Sequence, residues 1–169
     1  QRLSRGLGDV YKRQPLAYCT EDYLSDLKFK NSTKIGVMIN SSEIKSDENF
    51  SSSVTEIYQA ENSKLNYYST QDFKENYHFN SVNVFQKRDS VSNFFTVSFS
   101  GSIVRNNLNI CLHDKSCYTN MYGFYAMSDK SLIDNHTSVD HVDENSLSNE
   151  HYKGIMGGRS NGVFNGKIF

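Results

Sequence analysis

The densest group of side chains able to do chemistry is Asp134-Asn135-His136-Thr137-Ser138-Val139-Asp140-His141. Carboxylates next to imidazoles are what acid/base catalysis and metal binding use, because the carboxylate fixes the ring tautomer and raises its basicity. His136, Asp140 and His141 are therefore the candidate polar site. In a strand, Asp134 and His136 point the same way, whereas Asp140 and His141 fall on opposite faces unless a bulge intervenes. Ladders of side chains between neighbouring strands explain the same residues without any chemistry.

Three other groups are weaker. Cys111, His113 and Cys117 offer three metal ligands, but a structural zinc site wants a fourth and no fourth is evident. Gly158-Arg159-Ser160-Asn161-Gly162 matches the G-x-S-x-G nucleophile elbow, which works only where a strand turns into a helix. Here a strand-like run, Val163 to Ile168, follows instead, so the glycines are expected to serve turns. Gly166-Lys167 matches the end of a phosphate-binding loop, yet the earlier glycine is replaced by Asn161 and the following Ser/Thr by Ile168. No catalytic, cofactor-binding or metal-binding residue is expected with these patterns.

The elements that must carry these residues are strands. Val82 and Val84, then Phe95, Val97 and Phe99, then Leu108, Ile110 and Leu112 each alternate with mostly polar neighbours. Helical stripes are nearly absent, Asp22–Leu27 being the best short candidate. Apolar or polar centres at Leu65, Phe79, Phe95, Leu108, Tyr122, His136, Tyr152 and Phe164 recur every 12 to 16 residues. Runs at even spacing with Asn- and Ser-rich turns predict an all-β solenoid over a sandwich, because stacked coils require a regular repeat.

Composition narrows the classes further. The 169 residues include 11 Tyr and 11 Phe, which is too aromatic for a disordered chain, and no apolar run is long enough for a membrane helix. Residues 1–14, which contain Asp9-Val-Tyr-Lys-Arg-Gln14, match a translated library-adapter sequence and are expected not to be native protein. They carry four basic residues against Asp9, so the body is near −4 where the whole chain is −1. An acidic body disfavours nucleic-acid binding. Three cysteines at no repeated spacing argue against a disulfide framework and fit a reducing compartment.

Several segments in order resemble one family. They are Ser53–Ile57, Glu61-Asn62, Leu65–Tyr68, His78–Ser81, Arg105–Leu108, Asp134–His141, Tyr152–Ile155, Gly158–Ser160 and Val163–Ile168. This set closely resembles the SufB/SufD family of the SUF iron–sulfur cluster assembly system, and its SufD branch more than its SufB branch. The resemblance covers 47–169 and is thin over 15–46, the entry segment. It implies a right-handed parallel β-helix, here expected to be truncated at both ends as a metagenomic fragment. It also implies a bacterial, cytoplasmic, non-enzymatic scaffold that pairs with a SufB-like paralogue and a SufC-like ABC ATPase. The full complex would handle an iron–sulfur cluster and ATP, with no cofactor bound by this segment. The family's interface and ATPase-docking residues are expected beyond Phe169. A carbohydrate-active β-helix, a polysaccharide lyase or hydrolase, is the alternative on the same architecture.

Overall fold

The computed structural model describes residues 34–42, 50–73 and 76–169. The helical candidate Asp22–Leu27, Cys19 and the adapter-like residues 1–14 lie outside them. Ten strands follow one another: β1 Lys34–Ser42, β2 Phe50–Gln59, β3 Lys64–Asp72, β4 Tyr77–Gln86, β5 Val91–Ser100, β6 Ile103–Leu112, β7 Tyr118–Met127, β8 Leu132–His141, β9 Leu147–Met156 and β10 Asn161–Ile168. The described residues contain no helix.

Odd strands form one parallel sheet, β1-β3-β5-β7-β9, and even strands the other, β2-β4-β6-β8-β10. The chain thus winds as a β-solenoid in which two strands make one coil. Each of the eight centres found in the sequence sits on its own strand, β3 to β10. The sequence interval is therefore half a coil, and register partners are farther apart: Tyr77 with Ile103 and Lys34 with Lys64. β1, within the poorly matched entry segment, already pairs with β3 along its whole length.

Strands form because alternate residues face a shared interior. On β4, β6 and β8 the inward set is His78, Asn80, Val82, Val84, Gln86, then Val104, Asn106, Leu108, Ile110, Leu112, then Ile133, Asn135, Thr137, Val139. Two apolar clusters result, one around Ile57, Tyr67, Phe94, Leu108 and Ile110 and a smaller one of Phe73, Val104, Met127 and Ile133. A polar rung separates them. Ser98 Oγ donates to Gln71 Oε1 at 2.6 Å, Gln71 Nε2 to Asn106 Oδ1 at 2.7 Å, and Asn106 Nδ2 to Asn135 Oδ1 at 3.0 Å. These amides bond one another away from bulk solvent, which lowers the cost of burying them.

The outer faces carry ladders of their own. On the odd sheet Asn93 Nδ2 donates to Asn66, Asn120 to Asn93 and Asn149 to Asn120, at 2.9, 2.8 and 3.1 Å. Beside it Tyr68, Phe95 and Tyr122 stack with ring centroids 5.0 and 5.1 Å apart. In-register parallel pairing puts like residues one strand spacing apart, close to the stacking distance of rings.

The turns share one device. Ser63 donates to the carbonyl of Ala60, Ser90 to Lys87, Ser131 to Ser128 and Ser160 to Gly157 at 2.6 to 2.8 Å. In these turns one residue takes the left-handed conformation, Asn62, Asp89, Asp129 or Gly158, as do Ser116 and Asn145 in two further turns. Asn, Asp and Gly tolerate it best. Cys117 holds the serine place in its turn, its Sγ 3.1 Å from the Asp114 carbonyl. Cys117→Ser is accordingly expected to shift the urea-unfolding free energy by less than about 1 kcal/mol, because the hydroxyl remakes that bond. A loss several times larger would show that the thiol does something the turn does not need.

Candidate functional site

The polar side chains singled out in β8 do not stay together. His136 projects outward from the even sheet, where its Nε2 lies 2.7 Å from Asp134 Oδ1. That approach is an ionic contact available when the ring is protonated, without hydrogen-bond geometry. Asp140 lies on the same outer face, in register with Cys111 on β6. His141 turns to the inner side and meets Ser148 Oγ at 2.9 Å across the coil. Strand alternation without a bulge separates the candidates, as the spacing implied.

What gathers instead is a group spread over two coils. Arg105 on β6 is the register partner of Asp134, and its Nη1 donates to Asp134 Oδ2 at 2.8 Å. Arg105 Nε also donates to Asn107 Oδ1 at 3.3 Å, and Asn107 is in turn the partner of His136. The Asp134 carboxylate is only 17% exposed, against 38% for Arg105 and 30% for His136. A half-buried carboxylate hydrogen-bonded to a guanidinium orients that guanidinium, and the imidazole lies beside it in ionic contact only. The arrangement can present an oriented, partly open guanidinium with an imidazole beside it to a partner surface. Arg105 was not picked out from sequence, although sliding β6 against β8 by one coil puts it opposite Asp134.

The cysteine group is likewise divided. Cys117 is buried in its turn, while Cys111 lies on the outer face; both are free thiols. Burial pushes the Cys111 thiol up, and the neighbouring Asp140 charge pushes it the same way. Burial also raises Cys117. Neither is set up as a thiolate nucleophile or ligand. His113 packs on Phe85 at a tilt of 40° with centroids 4.6 Å apart and donates from Nδ1 to Asp114 Oδ1 at 2.7 Å. That hydrogen bond, first among several causes, holds the Asp114 carboxyl below its ordinary range. Among the described residues no three His, Cys, Asp or Glu side chains converge as a metal site.

The glycine motifs resolve as backbone features. Gly158 is left-handed, with φ of 65°, in the turn between β9 and β10. Ser160 Oγ is engaged by the Gly157 carbonyl at 2.8 Å, and the strand β10 follows it, so no nucleophile elbow forms.

No helix among the described residues is long and apolar enough to cross a membrane. A family model described as "SUF system FeS cluster assembly, SufBD core domain" matches residues 27–169, and so takes in all ten strands and reaches upstream of residue 47. No curated protein matches, and no solved structure does.

Proposed function

The chain belongs to the SufBD core family of the SUF iron–sulfur cluster assembly system, and from that premise we propose that it is a SufD-like scaffold subunit with no catalysis of its own. The observation that carries the reading is the continuity of the family match along the whole solenoid, joined to the ordered motifs Asp134–His141 and Tyr152–Ile155, which resemble SufD more than SufB. A stack of hydrogen-bonded coils is a stiff body, and stiffness suits a subunit that holds partners apart or together. Its partners would be a SufB-like paralogue and a SufC-like ATPase, with the cluster as cargo of the complex and the setting bacterial cytoplasm. The Arg105–Asp134–His136 group would serve contact, not turnover.

The carbohydrate reading meets a physical objection on the odd sheet. Sugar rings pack on the flat faces of aromatic side chains, but Tyr68, Phe95 and Tyr122 spend those faces on one another, with interplanar angles of 9° and 15°. Both faces of Phe95 and one face each of Tyr68 and Tyr122 are thereby closed to a glycan.

Sequencing outward from both ends of the coding segment tests the proposal. The expected result is neighbouring genes for a SufB-type paralogue and a SufC-type ATPase. A locus of secreted polysaccharide-degrading enzymes, with an export signal on this chain, would overturn it. The 169-residue chain by itself is expected to retain no SufC-type ATPase in a pull-down; stoichiometric capture would mean that the docking surface lies within these coils.

A further inference from the structure

Three buried polar atoms on the inner side of β8 and β9 have no hydrogen-bond partner among the described residues: Asn135 Nδ2, Thr137 Oγ1 and Glu150 Oε1. Asn135 and Thr137 are 3% and 4% exposed, next to each other on the inner face of β8. Leaving such atoms unpaired costs about 1–3 kcal/mol each, so native interiors pair them with protein or with water.

The surroundings say why protein does not pair them. The coil above places Phe164 over Asn135 and Gly166 over Thr137. Phe164 cannot accept the Asn135 amide, and Gly166 has no side chain to offer Thr137. A β-carbon at Gly166 would stand 2.8 Å from Glu150 Oε2, 3.2 Å from Thr137 Oγ1 and 3.4 Å from Phe164 Cε1. The carboxylate and the hydroxyl thus converge on the space that this glycine leaves.

The charges around that space select its occupant. Asn135 Oδ1 is taken by Asn106 Nδ2 at 3.0 Å, so it is the donor side of the Asn135 amide that is left without a partner. Those donors repel a cation, and the Glu150 carboxylate repels an anion. A neutral molecule that both accepts and donates fits, and water with its two donors and two acceptors is the smallest. We propose that the space beneath Gly166, itself an exposed residue of β10, is a hydration site, in which ordered water accepts from Asn135, donates to Glu150 and bonds Thr137. This water would continue the amide rung Gln71–Asn106–Asn135 across the coil, where the chain supplies Phe164 in place of a further amide.

Two measurements on the 169-residue chain decide it. In a crystal structure at atomic detail, a water peak is expected within about 2.7–3.2 Å of at least two of the three atoms. In thermal unfolding, Gly166→Ser is expected to melt about 2–5 °C above Gly166→Ala, because a hydroxyl replaces the water's bonds and a methyl only displaces it. A dry site, a peak that refines as a cation with the Asn135 amide turned over, or an Ala variant as stable as the Ser variant would each overturn the proposal. The crystallographic arm stands even where neither variant folds.

Discussion

Gly123→Ala is expected to destabilise the solenoid by about 2–4 kcal/mol, lowering the thermal midpoint by roughly 10 °C. Gly123 is an inward position of β7, in register with Tyr152 on β9. A β-carbon there would lie 2.1 Å from Tyr152 Cδ1 and Cε1, well inside contact distance and against the body of the ring. The exchange is reciprocal, since a β-carbon at Gly154 would meet Tyr125 Cε2 at 2.1 Å. Two tyrosines on adjacent coils each lie over a glycine of the neighbouring strand. Tyr152 has nowhere to swing, because Phe164 packs on it with centroids 4.9 Å apart. Burial, with the Glu150 charge second, also drives its phenol upward, so the ring stays neutral at any working pH. The decisive experiment is a double-mutant cycle by chemical denaturation with Tyr152→Leu. Removing the ring should relieve most of the alanine's penalty, giving a coupling above about 1 kcal/mol. A loss below about 0.5 kcal/mol for Gly123→Ala alone would mean that the ring does not cover the glycine.

His78 is expected to make stability depend on pH. It lies inside the first fully described coils, 1% exposed, stacked on Phe73 with centroids 4.0 Å apart, with Nδ1 2.7 Å from Ser51 Oγ. Burial lowers its pKa from 6.5 to about 4. The unfolded chain therefore takes up a proton near pH 6.5 while the folded chain resists until about pH 4. The stabilisation is full above the unfolded value and is lost as pH falls through that window, the loss reaching about 3 kcal/mol at its lower end. Urea titrations across the window should show the midpoint falling with acidity. Carboxylates such as Asp114 add to the slope at the acid end, so the comparison that matters is with His78→Leu. That variant should lose most of the slope above pH 5 whatever its baseline stability. An unchanged slope would place the titration elsewhere.

The strand pattern was legible because two physical periods coincide in this sequence. Alternation marks each strand, and the regular turns mark the half-coil. The recurring serine at the end of each turn, as in Asn62-Ser63, Asp89-Ser90 and Asn145-Ser146, is a further signal in plain view. It identifies Cys117 as a turn residue and removes it from the metal candidates. Which face of a strand points inward was less legible. On β5 the apolar alternates Phe95, Val97 and Phe99 face outward, while Ser92 and Ser98 are fully buried. Hydrophobicity predicts the reverse, but the outer face offers Phe95 a stack between Tyr68 and Tyr122, and the inner face offers Ser98 the Gln71 carbonyl oxygen.

The site divided along the same line. His136 and Asp140 sharing a face, with His141 turned away, followed from strand periodicity alone. The family, too, was carried by ordered motifs along the chain. That Arg105 is the residue which engages Asp134 depends on coil register, a contact between residues far apart in sequence. The sequence by itself determined the parallel coil, its repeat and its kinship, since these are written in local period and motif. Tertiary structure decided which residues meet between coils, because register is set by how whole turns stack and not by any one strand.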